Sequence, residues 1–253
     1  MTVLMQEMSW QDFAAKKETA FLILPVGSTE QHGPMLPLSV DTIISSGLAE
    51  VVAKQAGGIV APPVSYGYKS APLSGGGPLF PGTLDLNGST LVRLVYDILE
   101  ELIRDGVKEI LVLNGHFENE AFLLEAIDLV SRKYSDVALL ECSWWDQISP
   151  GVMDKVFDEV PFPGWALEHA AIAETSLTMF FRPELVHMEK FVEDEPVTEL
   201  GYSVYPASKC SVPKTGLLAT ARTSSPEKGK LLAEDIANNY SKIVQANFKA
   251  CIQ

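Results

Sequence analysis

Two short segments carry a carboxylate and an imidazole one residue apart. Glu30 and His32 lie in PVGSTEQHGP, and His116 and Glu118 lie in NGHFENE. In extended backbone, residues two apart point to the same side, so each pair presents its two donors together. Asp41, in LSVDT, adds a carboxylate at the start of the following helix, where it can cap the helix or bind and bridge cations. Three carboxylates and two imidazoles without a thiolate suit Zn, Mn or a mixed pair. A shared Asp41 is what a two-metal site needs to hold both ions close to one water. Either pair alone is a weak signal, because Glu-x-His also occurs incidentally. The chain has four histidines, and two of them fall in these motifs.

A third segment, GWALEHAAIAETS, holds Trp165, Glu168, His169 and Glu174 on or near the start of a helix. His169, with a pKa near neutrality, can shuttle a proton to a leaving nitrogen, or it can be a hydrogen-bonded core histidine. Glu168 can accept from a substrate N–H or sit as a solvated helix carboxylate, and Glu174 can support the site from behind its ligands. Trp144, Trp145 and Trp165 can stack on a planar ligand or serve as packing. Ser74 and the three glycines after it can donate backbone N–H groups, but their spacing is not that of a nucleotide phosphate loop.

The elements that must position these groups alternate. FLILPV at Phe21 to Val26 and ILVL at Ile110 to Leu113 are apolar runs suited to strands buried on both faces, with further strands at Ile59 to Val64 and Val137 to Cys142. Helices are predicted from Asp41 to Gln55 and from Ser89 to Arg104, each stopped by glycine. A last helix runs to Phe248 from a capping box of Ser224 and Glu227. Ser65 to Gly88 and about Glu189 to Thr215 are irregular. This alternation predicts an α/β fold, a three-layer α/β/α sandwich with a mainly parallel central sheet, and a single domain over residues 1–253. Ligands of such sheets bind outside the carboxyl ends of the strands, where both donor pairs fall.

Acidic residues outnumber basic ones by 33 to 19, so a charge of −14 opposes nucleic acid and anionic lipid as partners. The three cysteines form no CxxC pair and read as reduced cytosolic thiols. The N-terminal segment lacks a signal-like pattern and no stretch is apolar enough to span a bilayer, so a cytoplasmic protein without a membrane is expected.

At these residues the chain resembles the creatininase (creatinine amidohydrolase) family. The likeness is carried by LPVGSTEQHGPMLPLSVDT, YGYKS with SGGG and FPGT, LVLNGHFEN, SWWD, GW-x-x-EH-x-x-x-x-ETS and TSSPEKGK. It implies that Glu30, Asp41 and His116 hold one divalent ion and that His32, Asp41 and Glu118 hold the other. It also implies water activation at that pair, with Glu118 counted among the catalytic groups, proton transfer by His169, and ring opening of creatinine to creatine. Trp145, Trp165, Ser74, Phe117 and Glu168 match substrate-contacting positions, and the likeness implies a homo-oligomer, a hexamer. Two residues depart from creatinine-hydrolysing members: Phe117 replaces a tyrosine and Ala166 an aspartate. Both changes remove polar groups, which bears on substrate choice. Another cyclic amide, a formamide or a small peptide are therefore alternative substrates. A non-catalytic metal-binding oligomer and a mononuclear iron oxygenase are readings of other classes, the latter disfavoured by the extra carboxylates.

Overall fold

The computed structural model describes residues 2–71, 77–195, 197, 202, 205 and 212–248. Ser74, Cys210 and Cys251 lie outside the described residues. The elements in chain order are α1 (Trp10–Lys16), β1 (Leu22–Val26), α2 (Val40–Ala56), β2 (Ile59–Val60), α3 (Gly88–Arg104), β3 (Glu109–Asn114), α4 (Glu120–Ser131), β4 (Ala138–Ser143), α5 (Pro150–Val156), α6 (Ile172–Phe181) and α7 (Pro226–Asn247).

The four strands form one sheet of order β2-β1-β3-β4, and every pairing is parallel. Alternate strand residues feed opposite cores. Ile23, Leu111 and Leu113 pack with Ile44 and Leu48 of α2, Leu177 of α6 and Ile236 and Tyr240 of α7. Leu22, Leu24, Ile110 and Val112 pack with Leu91, Val95 and Leu99 of α3 and Leu123 and Val130 of α4. Strands covered on both faces read as continuous apolar runs, and each fully buried aliphatic side chain contributes about 1.5–3 kcal/mol. The expected α/β/α sandwich is present. No helix of the described residues is long and apolar enough to cross a membrane.

Two local expectations are corrected, and one element is added. The strand expected from Ile59 to Val64 pairs regularly only at Ile59–Val60 and keeps a single bridge between Val26 and Val64. Pro62 and Pro63 have no N–H for the ladder, which ends it. The last helix is capped by Ser225, whose hydroxyl accepts from Lys228 N–H at 3.1 Å, and not by Ser224. Helix α4, directly after the second donor pair, is an element that the sequence reading left out. Glu168 and His169 sit between a single 3-10 turn, Trp165–Leu167, and α6, near the start of that helix as expected.

From β1 the chain moves outward to β2, then crosses back to β3 and on to β4. The direction reverses between β1 and β3, so their carboxyl ends flank the crevice in which open parallel sheets bind ligands.

Candidate metal centre

Two glycines let α2 enter this crevice. A Cβ on Gly27, just past β1, would lie 2.5 Å from Thr42 N, and one on Gly115, just past β3, would lie 2.5 Å from Asp41 O. With no side chain at either position, the first turn of α2 seats between the two strand ends. Asp41, the second residue of that helix, then points into the crevice and is buried. It does not serve as the helix cap.

Asp41 offers one oxygen to each histidine. Its Oδ1 lies 3.1 Å from His32 Nε2, and its Oδ2 lies 3.2 Å from His116 Nδ1. Glu30 Oε1 stands 3.0 Å from the same His116 Nδ1, while its Oε2 accepts from the Ser70 hydroxyl. His32 turns Nδ1 toward the Glu30 carbonyl at 3.2 Å, and His116 turns Nε2 toward the Tyr68 carbonyl at 2.9 Å. Each backbone oxygen engages one ring nitrogen and leaves the other facing the centre, which is how metal-bound imidazoles are oriented. Asn119 braces the surround, donating to Gly27 O at 3.0 Å and accepting from Tyr68 N–H at 2.8 Å.

Three overlapping groupings bring three donor atoms within 4.8 Å of one another: Glu30–Asp41–His116, His32–Asp41–Glu174 and Glu30–His32–His169. The first is one of the two sets that the resemblance implies. The second takes Glu174, with Oε2 3.6 Å from His32 Nε2, where the resemblance assigned Glu118. Glu118 instead reaches the outer side of the His116 ring, 3.4 Å from Nε2, and accepts from Ala71 N–H at 2.9 Å. The physical reason is the reach of α6. Ala170 is the only non-glycine described residue with positive φ, 55°, and its N–H meets Glu174 Oε2 at 2.6 Å. This turn brings the first helical carboxylate of α6 to the centre.

The charges are costly without a counter-ion. Burial pushes Glu30 up to about 7 against the pull of His116, and it pushes Glu174 up to about 8 against the pull of His32. Burial lowers His32 and His116, but the carboxylates around them prevail: His32 stands at about 10, owing to Asp41 and Glu174, and His116 well above its ordinary value. Asp41 is held below the usual carboxylate range by the two histidines in spite of its burial. His32 Nε2 and Asp41 Oδ2 are buried without an aligned hydrogen-bond partner. Unpartnered buried atoms of opposite proton preference, inside a set of hard and borderline donors, fit a divalent cation.

A narrow cleft of about 30 Å³ opens over the centre. Trp144, Trp145, Trp165, Phe117 and Ala166 line it together with Glu168 and His169. Phe117 meets Trp145 at 5.5 Å with the rings tilted by 40°, and Trp144 meets both other tryptophans edge-on, so the three indoles form one wall that is at once packing and cleft lining. Glu168 is buried, accepts from Ala173 N–H at 2.6 Å through Oε1, and leaves Oε2 without a partner. Burial, then repulsion from Glu174, pushes Glu168 well above the usual carboxylate range. His169 stacks at 4.4 Å on His32, and burial followed by the His32 charge brings it down to about 3. It is therefore neutral near pH 7. Cys142 lies in β4 away from this cleft, and burial with the nearby Glu141 lifts its thiol to about 12, which makes it a poor nucleophile. Gln31, Ser70 and Asn119 carry the support of the site and were not singled out from sequence, where only their adjacency to EQH, YGYKS and HFEN marks them.

The family profile described as Creatininase: Creatinine amidohydrolase matches residues 6–244. The chain belongs to the creatininase family. It is 36% identical over 255 residues to the creatinine amidohydrolase of Pseudomonas putida, covering 98% of each chain. It is 29% identical over 225 residues to the mycofactocin precursor peptide peptidase of Mycolicibacterium smegmatis, covering 86% of this chain and 81% of that one. A creatininase variant solved in complex with creatine superposes with a TM-score of 0.93 at 36% identity, covering 97% of this chain and 98% of the other. Creatininase structures described as a Zn–Zn type and as an Mn form share that TM-score at 35% and 36% identity. The creatininase family consists of metal-dependent amidohydrolases, and this chain is a hydrolase of that class with a site for divalent metal.

Proposed function

We propose that the chain opens the ring amide of creatinine to give creatine, using two divalent ions, Zn or Mn, held by Glu30, Asp41 and His116 and by His32, Asp41 and Glu174. The observation that carries this reading is the split Asp41 carboxylate, one oxygen toward each histidine, below a cleft walled by three indoles. It is supported by 36% identity over nearly the whole chain to a creatinine amidohydrolase.

Bound ions at such a site act as Lewis acids toward a carbonyl and bring the pKa of water close to neutrality. The chain's own groups do the rest. Trp145, Trp165 and Phe117 flank a planar ring and exclude water, and the unpartnered Glu168 Oε2 hydrogen-bonds it. His169, with Nδ1 3.9 Å from Glu30 Oε1, takes a proton at Nδ1 from the attacking water and returns it to the departing nitrogen; the His32 charge that depresses it belongs to the metal-free centre. Glu118, behind His116, steadies that ring through Nε2. Ser74 is assigned a substrate contact on the resemblance alone. We place the activity in a single domain of 1–253 and in the cytoplasm, on the length and cysteine pattern of the sequence, and in a homo-oligomer, a hexamer, as the family pattern implies.

Substituting His169→Ala tests this assignment. Metal content should stay intact while creatine formation falls by roughly 100-fold or more; an unchanged rate removes His169 from the reaction. Phe117 and Ala166 leave this wall without the polar groups of creatinine-hydrolysing members. Two bound ions without creatinine turnover would transfer the activity to another cyclic amide, a formamide or a small peptide.

A further inference from the structure

We infer that Gln31 is a positioning residue that sets the tautomer of His169 and that the turn at Gly216 is built to seat it; the catalytic consequence rests on the hydrolase reading above. His169 Nε2 lies 2.7 Å from the Gln31 backbone carbonyl. Two lone pairs do not approach so closely, so Nε2 carries the proton and donates it to that carbonyl, the shorter of its two contacts, while the Gln31 amide nitrogen 3.0 Å away directs its hydrogen to Gly216 O instead of to the ring. Nδ1 is then the basic nitrogen, and it is the one that faces Glu30 and the centre.

The carbonyl can do this only if Gln31 is held still, and its side chain supplies the anchor. The amide Oε1 accepts from Gly33 N–H at 2.8 Å, and Nε2 donates to Gly216 O at 3.0 Å while lying 3.0 Å from His169 Nε2. Exchanging the amide oxygen and nitrogen would set two donors and two acceptors face to face, so the network fixes the orientation. Gly216 has φ of 81°, a backbone conformation that disfavours a side chain, and a Cβ there would run into the Gln31 amide. Its turn is pinned from the other side, with Gly216 N–H on Pro213 O at 3.1 Å and the Thr215 hydroxyl on Asp194 at 2.7 Å. A segment remote in sequence thus reaches His169 through one amide.

The test is the imidazole tautomer, read by nitrogen-15 NMR on the Zn-loaded protein, with the His169 signal assigned through the His169→Ala variant. Wild-type protein should show His169 protonated at Nε2; protonation at Nδ1 overturns the inference without touching the hydrolase reading. Gln31→Leu and Gly216→Ala should both convert that single tautomer to a mixture at unchanged metal content, and lower kcat on the accepted substrate by roughly 100-fold with little change in KM. Either folded variant keeping the single Nε2–H tautomer would also overturn it. If neither variant folds, the wild-type spectrum decides.

Discussion

Glu174 Oε2 stands 3.6 Å from His32 Nε2, which ties the start of α6 to the loop after β1. The second donor grouping therefore draws on α6 and not on the loop that carries Glu118. Glu174→Ala should reduce bound metal from two ions per chain toward one after dialysis, whereas Glu118→Gln should keep both. Elemental analysis of the two variants separates these outcomes, and the reverse pattern would return Glu118 to the ligand set.

Metal affinity should rise with pH. In the metal-free centre Glu30 titrates at about 7, Glu174 at about 8 and His32 at about 10. Below these values the donors hold protons that a cation must displace, so affinity weakens as pH falls, by up to roughly tenfold per unit for each proton released. Zn or Mn titrations in buffers of differing ionisation enthalpy count those protons. An affinity flat between about pH 6.5 and 8.5 would contradict this proton inventory.

Ala170 supplies the turn that delivers Glu174, at φ 55° with its side chain fully buried. Ala170→Gly removes the left-handed strain and adds freedom to the unfolded chain, so stability should stay within about 1 kcal/mol of wild type. Ala170→Val should cost about 2 kcal/mol or more, since a β-branched residue disfavours that conformation, and should lower metal content at Glu174 with it. Thermal unfolding and metal analysis give both numbers.

Glu141, in β4, is raised to about 7 by burial and then by Glu120. The folded state therefore holds this proton more tightly than the unfolded chain, whose value is near 4.5. Its contribution to stability is present below 4.5 and is lost as pH rises through about 7. Glu141→Gln should match wild type near pH 4.5 and melt a few degrees higher above pH 7, so an equal gap at both pH values would contradict the shift.

The strands and the two donor pairs could be read from sequence because Glu30–His32 and His116–Glu118 each follow an apolar run that the sheet buries on both faces, while Asp41 is marked by its place at the start of the next helix. Glu30, His32, Asp41 and His116 stand together where the ends of β1 and β3 predicted them. Glu174 was read only as a supporting group, since nothing in HAAIAETS announces that an alanine takes a left-handed conformation. The shortening of β2 follows from Pro62-Pro63, which lie inside the apolar run that suggests a longer strand. Gln31 and Gly216 are far apart in the chain, and only the folded turn shows that one seats the other.

The central claim is a ring-amide hydrolysis that depends on two ions at the Asp41 centre. Creatine formation should be followed while Mn is added back to chelated protein, with bound metal measured at each step. The account predicts no turnover in the chelated chain and a plateau at two ions per chain. Creatine formed by the metal-free protein, or full loading without creatine, would contradict it.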